Sequence, residues 1–241
     1  MCTRLLFLPL ILTTTLSAQH VRPTPHEVRW WHAAVVLGGI GLAGAFDETV
    51  QRALPQDRSG FGDRFASVVR KVGEPPVYVT VPGVMFVGGL LANRPGLRRG
   101  GERVAVSLAL GAVLAAAAKF SVGRLRPDQT PETAAFKPFS GADAFPSGHA
   151  TMAFALATSL SDEIGHPWAT VPLMALATGT AWSRINDKQH WLSDVVAGAA
   201  IGVVSAQLVE SRWQIFHLHP PALLVARGRT GVEWRVPFQL R

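Results

Sequence analysis

Six apolar segments of helical length, each bounded by charged residues or proline, constrain this chain of 241 residues more than any other feature. They are Trp30–Phe46, Pro76–Ala92, Val104–Phe120, His149–Leu160, Trp168–Trp182 and Leu192–Val209. Glycine and alanine are frequent inside them, which weakens a soluble helix but suits closely packed membrane helices. Charged residues make up 16% of the chain, well below the usual value of about a quarter. The pattern predicts one all-α domain, a six-helix transmembrane bundle, with a soluble buried bundle as the alternative.

The two ends of the chain are predicted to lie outside this bundle. Arg4, the apolar run Leu5–Leu16 and the small residues up to Ala18 form the pattern of a secretory signal peptide. We expect cleavage after Ala18, with an uncleaved signal anchor as the alternative. The membrane domain then covers residues 19–212 and a tail covers residues 213–241. Two β-prone runs around 228–231 predict a short hairpin in that tail.

Charge and cysteine content exclude several classes of function. The net charge is +7, but the basic residues lie in short clusters such as Asn93–Arg103, which we expect to form a loop. Because no aromatic residues alternate with them, nucleic-acid binding is not expected. The single cysteine, Cys2, lies in the leader, which excludes disulfides, zinc ribbons and thiol catalysis. Asp47–Glu74 is predicted to form either an amphipathic helix on the membrane face or a solvated linker helix.

Two polar clusters flank the long loop between the third and fourth apolar segments. Lys119 closes the third segment, and Arg126 follows it, just before Pro127. Taken alone, such a lysine usually extends towards the membrane interface. The fourth segment opens with Pro146–His149, where free backbone N–H groups at a helix start can bind an anion. The same residues also suit ordinary helix capping.

A third cluster, Ser183–Asp194, links the fifth segment to the sixth. His190 and Asp194 are four residues apart, so on a helix their side chains share a face and the carboxylate can hold the imidazole. Arg184 lies at the other end of the same connection. An isolated His and Asp pair at this spacing is more often a surface contact than a catalytic pair.

Counting membrane crossings places all three clusters on one face, where they can form one pocket. The pocket then holds three cations, a helix N-terminus and two histidines, one of them beside a carboxylate: Lys119, Arg126, Arg184, Ser147, Gly148, His149, His190 and Asp194. Arginine and lysine donors in this number suit a phosphate or another tetrahedral oxyanion.

The chain resembles the type 2 phosphatidic acid phosphatase (PAP2) and vanadium haloperoxidase superfamily, in particular its membrane-bound bacterial lipid phosphatases. Its three signatures are complete and in order: Lys119-x6-Arg126-Pro127, Pro146-Ser147-Gly148-His149 and Ser183-Arg184-x5-His190-x3-Asp194. One such motif is a weak indication, whereas three in register are highly specific.

The resemblance implies a role for each motif residue. His190 would attack phosphorus and form a phosphohistidine, with Asp194 orienting its ring. His149 would protonate the leaving alcohol and then activate water. The remaining motif residues would hold the phosphoryl oxygens: Lys119, Arg126, Arg184, Ser147 and the Gly148 N–H. No metal or other cofactor is expected, since side chains supply the positive charge.

Other polar residues near the motifs carry weaker expectations. Arg124 is either a further phosphate contact or a solvated side chain at the interface. Asp128, Asp143 and Asp187 are interpreted as loop residues. His217 and His219 are expected at the opposite face.

Three functions are compatible with these residues. The leading hypothesis is a metal-independent phosphatase for a lipid phosphate monoester or diphosphate. Phosphatidic acid, phosphatidylglycerophosphate and undecaprenyl diphosphate are the substrates that the resemblance implies, with membrane lipids as the surroundings. The alternatives are a vanadate-dependent haloperoxidase and a non-enzymatic lipid-binding membrane protein.

The expected location is a bacterial inner membrane, crossed several times. A cleaved leader followed by six crossings puts the pocket on the cytoplasmic side. Four arginines in the stretch 94–103 instead make the opposite face cytoplasmic. We expect the second arrangement, with the pocket on the external face.

Overall fold

The protein is described by a computed structural model that covers residues 26–54 and 60–210 and three short stretches beyond residue 212. The helices in these ranges are α1 (Trp30–Ala45), α2 (Asp47–Ala53), α3 (Phe61–Val72), α4 (Pro75–Leu91), α5 (Pro95–Val122), α6 (Gly148–Ile164), α7 (Pro167–Asn186) and α8 (Leu192–Val209). The strands are β1 (His26–Glu27), β2 (Trp213–Gln214), β3 (Ala222–Ala226) and β4 (Arg229–Glu233). The predicted leader, including Cys2, and His217 and His219 lie outside the described residues.

The fold is therefore mostly helical, as the sequence predicted. Strand β1 pairs in parallel with β2, and β3 pairs antiparallel with β4. Each of the six apolar segments coincides with a long helix, while α2 and α3 occupy the interval between the first two.

Proline and glycine set the limits of the long helices. Pro95 and Pro167 occupy the first turn of α5 and α7, where proline lacks only an N–H that would be unbonded in any case. Gly123 ends α5 in the left-handed conformation, with φ of 57°. A β-carbon there would lie 1.9 Å from the Lys137 carbonyl oxygen, so no other residue fits this turn.

Helix α6 is the centre of the bundle and packs against α5, α7 and α8. Its approach to α8 depends on Gly198 and Gly202. A β-carbon on these residues would lie 2.4 Å and 2.3 Å from the carbonyl oxygens of Ser147 and Thr151. Glycine thus lets two backbones pack at a distance that side chains would prevent.

The outer surface carries the apolar side chains expected of a membrane protein. Helices α5 and α8 are each long and apolar enough to cross a membrane, and α1 with α2, bent by 46° at their junction, passes the same test as a pair. Helix α4 is apolar but shorter. On α1, Trp30, Leu37 and Leu42 are each more than 60% exposed, which suits contact with lipid. Six full crossings stay a prediction.

The arginine-rich stretch before the third apolar segment is not a loop, contrary to the prediction. Helix α5 begins at Pro95 and includes Arg98, Arg99 and Arg103 in its first turns. Arg103 donates from Nε to Glu163 at 2.5 Å and lies 3.1 Å from a Glu210 carboxylate oxygen. Ion pairing with the ends of α6 and α8 therefore compensates for the polarity of this turn. We call this end of the bundle, where α5 begins and α6 and α8 end, the far end.

Helix α3 packs on the bundle instead of lying free. Its Ala66 and Val69 are buried and it contacts α7, where the Thr180 hydroxyl donates to the Val69 carbonyl at 3.1 Å. Val68, on the other side, is exposed. The predicted amphipathic helix thus covers the bundle with one face.

Candidate active site

The end of the bundle opposite the far end brings together all three sequence clusters. Lys119 and Arg184 lie in the last turns of α5 and α7 at this end, and α6 and α8 begin there, just after Ser147 and His190. Lys119, Arg126, Arg184 and His190 lie near enough to His149 for their charges to act on its ring.

The segment 142–147, which leads into α6, receives bonds from the other two clusters. Lys119 donates to the backbone carbonyl of Asp143. Arg126 donates from Nε and Nη2 to the Asp143 carboxylate at 3.0 Å and 2.9 Å. The His190 Nδ1 lies 2.7 Å from the Ala144 carbonyl oxygen. One short stretch of backbone therefore fixes the positions of both clusters relative to the start of α6.

The bond to Ala144 defines the protonation of His190. A carbonyl oxygen only accepts, so Nδ1 is the nitrogen that carries hydrogen and Nε2 has the free lone pair. The ring is 4% exposed. Burial lowers the pKa of His190 below its ordinary value, and the nearby Asp194 charge offsets only part of this effect. The imidazole is thus neutral at neutral pH and available as a nucleophile.

Asp194, which the sequence predicts to orient His190, lies beside the ring. Its Oδ2 is 3.7 Å from Nδ1 of the ring and accepts the Trp191 N–H at 2.8 Å. Its Oδ1 accepts from Arg124 at 2.6 Å. The Ala144 carbonyl orients the ring in this structure, and Asp194 adds a negative charge next to it.

Arg124 is a buried structural cation, contrary to both roles considered for it. Its Nη2 donates to Asp47 at 2.7 Å and its Nη1 to Ser193 at 2.7 Å and to Asp194. Its Nε donates to the Thr133 carbonyl at 3.0 Å. Arg124 is 4% exposed and both carboxylates are fully buried. We call Asp47, Arg124 and Asp194 the inner ion network; it ties α2 to the start of α8.

The planar guanidinium of Arg126 makes two hydrogen bonds to the carboxylate of Asp143. The sequence analysis interpreted Asp143 as an ordinary loop residue. The hydrogen bond from Arg126 lowers the pKa of Asp143 and raises the pKa of Arg126, so both stay ionised. Arg126 also donates to Gln189, whose amide donates to Asp128 at 3.1 Å. The plane of the guanidinium is therefore fixed on two sides.

Arg184 is buried at the end of α7, where Asp187 accepts a bond from its Nη2 at 2.6 Å. The Ser183 hydroxyl accepts from Nε at 3.3 Å. Arg70 of α3 donates to the same Asp187 at 2.9 Å. A guanidinium has five N–H donors, so the bonds of Arg184 to Asp187 and Ser183 leave it with further donors for a ligand.

The start of α6 offers backbone donors. Ser147 is fully buried and acts as the N-cap: its Oγ accepts from the Ala150 N–H at 3.4 Å, and its own N–H donates to the Asp194 carbonyl at 2.9 Å. Among the described residues, no acceptor is bonded to the N–H of Gly148 or His149. Lys119 runs past this turn, with Cε 3.8 Å from where a β-carbon of Gly148 would lie. Two free N–H groups and an ammonium thus lie together at a helix N-terminus, which suits an anion.

A cavity of about 570 Å³ opens next to this turn. Lys119, Gly148 and His149 line it at the polar end, and side chains of α4, α5 and α6 such as Tyr78, Leu108 and Met152 line the rest. Its wall is mostly apolar, with alanines where α5 faces it. The cavity can therefore hold a polar headgroup at one end and a hydrocarbon chain along the other.

Within the described parts of the chain, no group of three or more His, Cys, Asp or Glu side chains is arranged to hold a metal ion. The carboxylates at this end, Asp47, Asp143, Asp187 and Asp194, all pair with arginines.

Comparison with known proteins agrees with this geometry. The model of the PAP2 superfamily matches residues 102–215. The lipid A 1-phosphatase of Porphyromonas gingivalis is 41% identical over 106 residues, which cover 43% of this chain and 22% of that protein. A putative undecaprenyl-diphosphatase of Escherichia coli, YbjG, is 27% identical over 136 residues, which cover 54% of this chain and 64% of that protein. The chain thus spans less than two thirds of either relative.

Two crystal structures share the fold. A transmembrane PAP2 type phosphatidylglycerolphosphate phosphatase from Bacillus subtilis aligns with a TM-score of 0.59 at 16% identity, over 73% of this chain and 93% of that one. Aquifex aeolicus LpxE aligns with a TM-score of 0.53 at 24% identity, over 68% and 92%. The likeness is one of fold: the helices of this chain are arranged as in these two structures.

Proposed function

We propose that this chain is a membrane phosphatase that hydrolyses a lipid phosphate monoester or diphosphate without a metal ion. The match of residues 102–215 to the PAP2 superfamily model supports this proposal. The observation that carries the proposal is the set of hydrogen bonds that brings Lys119, Arg126 and His190 to the segment just before α6, where Lys119 and His149 line the polar end of an apolar cavity. The names of the relatives support a lipid phosphate as the substrate class.

The phosphoryl group is bound by N–H donors that are not engaged in hydrogen bonds to the protein itself. Lys119 and Arg184 each retain N–H donors after their bonds to the protein, and the N–H groups of Gly148 and His149 extend the set. Arg126 adds a fixed positive charge beside them. Together these groups neutralise the charge that builds up on the phosphoryl oxygens in the transition state.

The first chemical step forms a covalent intermediate. The Nε2 lone pair of His190 attacks phosphorus and the phosphorus–oxygen bond to the lipid breaks, while His149 gives a proton to the departing oxygen. The leaving group is a lipid alcohol from a monoester or a lipid phosphate from a diphosphate. Water then attacks phosphorus, His149 takes its proton, the phosphorus–nitrogen bond breaks and inorganic phosphate is released.

The surroundings of the cavity support a lipid substrate in a bacterial inner membrane. The apolar wall formed by α4 and α5 continues from the polar end at Lys119 to Leu108, along a helix long enough to cross a membrane. Acyl or prenyl chains can lie along this wall while the headgroup reaches His190. We propose that the site faces the external side, because the arginines at the far end favour the cytoplasm.

A substrate panel tests the proposal. The detergent-purified protein is given phosphatidic acid, phosphatidylglycerophosphate, undecaprenyl diphosphate and lipid A in the presence of a chelator, and released phosphate is measured. We expect release from at least one lipid. We also expect loss by at least about a thousandfold in His190→Ala, by loss of the nucleophile, and a decline in wild-type rate at acidic pH as His190 becomes protonated.

His149→Ala and Arg184→Ala complete the test. The first should slow release by removing the proton donor, and the second by removing charge from the transition state. Activity that disappears with the chelator and returns with a divalent metal would contradict the metal-free mechanism. Full activity in His190→Ala would contradict the proposed nucleophile.

A further inference from the structure

Tyr78, the single tyrosine of the chain, separates the site cavity from a smaller cavity inside the bundle. It lies on α4, is 8% exposed and packs in the apolar cluster around Val104 and Leu156. Its ring belongs to the wall of the cavity that reaches Lys119 and His149.

The Tyr78 hydroxyl is buried without a hydrogen-bond partner among the described residues. Three other buried hydroxyls share this condition, those of Ser107, Thr158 and Ser159. These three lie inside helices, where a change of χ1 lets a Ser or Thr hydroxyl bond a carbonyl of the preceding turn. A tyrosine hydroxyl is too far from its own backbone to do so. A phenylalanine would fill the same space without burying an unpaired polar group, so packing alone does not explain a tyrosine here.

The surroundings of the hydroxyl indicate which ligand would pair with it. Arg184 lies close enough for its charge to act on the phenol, and the cavity that Tyr78 lines has His149 and Lys119 at its polar end. An oxygen of a phosphoryl group held by Lys119 and the N–H groups at the start of α6 would be an acceptor within this cavity. Hydrogen bonds to a charged acceptor are among the strong ones in proteins.

We propose that Tyr78 is a substrate-positioning residue, whose hydroxyl donates a hydrogen bond to a phosphoryl oxygen of a headgroup bound in this cavity. This inference rests on the proposed phosphatase function and adds a residue outside the three motifs. The hydroxyl is then buried without a partner in the free protein, which lowers its stability, and gains a partner when the headgroup binds. Removing the hydroxyl should therefore raise the stability of the free protein and lower its activity.

The test compares Tyr78→Phe with the wild type in detergent. We expect kcat/KM for a lipid phosphate to fall by about tenfold or more, as for the loss of one charge-assisted hydrogen bond. The inhibition constant of inorganic phosphate should rise by a similar factor, because the lost bond is to the phosphoryl group. The melting temperature without ligand should rise, since a buried unpaired hydroxyl has been removed.

Thr158→Val is the matched control, because it also removes a buried unpaired hydroxyl but lies away from the cavity lining. It should leave kcat/KM and phosphate inhibition unchanged. Unchanged kinetics in Tyr78→Phe would overturn the inference. A loss limited to lipid substrates, with phosphate inhibition intact, would also overturn it, because Tyr78 would then contact the lipid chain.

A second readout separates this inference from the proposed function. Inorganic phosphate should raise the melting temperature of the wild type, and Tyr78→Phe should show a smaller rise. If no lipid releases phosphate but this stabilisation is present and depends on Tyr78, the proposed function fails and the binding role of Tyr78 stands. If phosphate stabilises both proteins equally, the inference about Tyr78 fails whatever the activity.

Discussion

Both ends of the helix bundle pair arginines with carboxylates, but they use the arginines differently. At the far end Arg103 bridges Glu163 and Glu210, so two carboxylates neutralise this cation. At the site end the inner ion network is closed in the same way around Arg124. Next to it, Lys119 and Arg184 retain free donors beside His149 and the apolar cavity.

The difference separates structural charge from functional charge within one molecule. An arginine whose donors all meet protein acceptors holds helices together and has nothing left for a ligand. Burying a cation whose N–H donors lack partners costs free energy unless an anion binds to those donors. Both kinds of cation lie at the site end. The inner ion network there fixes the backbone, and this backbone in turn positions the N–H donors that remain for a ligand.

The largest effect is expected from Arg124→Met, which breaks the inner ion network. Asp47 and Asp194 are fully buried and would lose their cation. We expect the free energy of unfolding to fall by about 3–5 kcal/mol, as for other broken buried pairs, and phosphate release to be largely lost. Thermal unfolding and an activity assay measure the two effects.

Arg52→Met is the control for that experiment. Arg52 pairs with Glu48 on the surface, with its side chain 74% exposed, and such pairs contribute little. A melting temperature of Arg124→Met equal to that of Arg52→Met would show that the inner network is not structural.

Next in size is Arg126→Lys, which keeps the charge but removes the fork held by Asp143. We expect kcat/KM to fall by about 10- to 100-fold, because an ammonium cannot make the two parallel bonds that fix the group. Steady-state kinetics give the factor, and a melting temperature close to that of the wild type would exclude misfolding. Full activity would show that charge alone matters at this position.

Arg103→Met should destabilise the far end without touching the chemistry. We expect a loss of about 1–2 kcal/mol in unfolding free energy, less than for Arg124 because the Arg103 side chain is 24% exposed. The kcat should not change. This variant is the counterpart of Arg124→Met, and a fall in kcat as large as the one in Arg124→Met would mean that the two ends are coupled.

The smallest effect concerns Glu210. Burial raises the pKa of Glu210 from 4.5 to about 7, against the opposing effect of Arg103. Between these two values the unfolded chain has lost the proton that the folded protein keeps, so stability falls as the pH rises through this window. Glu210→Gln should flatten the dependence of melting temperature on pH between 5 and 8, by about 2–4 °C. An unaltered pH profile would contradict the raised pKa.

Local sequence patterns predicted the helix ends and the motif residues that lie close to one another in the sequence. Proline and glycine at the helix ends, and histidine and aspartate four residues apart, are short-range features that a sequence shows directly. The long helices follow the apolar segments for the same reason.

The partners of those residues are long-range and were missed. The whole of α3, α4 and α5 lies between Asp47 and Arg124, and in sequence Asp47 looks like an ordinary polar residue after an apolar run. Arg124 was interpreted as a phosphate contact or a solvated side chain because nothing nearby neutralises it. The one available indication was the direct adjacency of Asp47 to an apolar segment, which is an unusual place for an unpaired carboxylate.

The prediction of a loop for the arginine stretch is wrong for a related reason. Arg98, Arg99 and Arg103 look unsuited to a helix that continues into an apolar run. Glu163 and Glu210, which offset this, are supplied by α6 and α8. Charge patterning within one segment cannot reveal a neutralising partner from another.

In the proposed mechanism, the backbone bond to His190 decides which ring nitrogen is phosphorylated. Since the Ala144 carbonyl engages Nδ1, phosphorylation is restricted to the tele nitrogen of the imidazole, and the pros isomer should be absent from any trapped enzyme. Regiochemistry is then imposed by the main chain, so exchanging the side chain at position 144 for another small residue should leave the isomer unchanged.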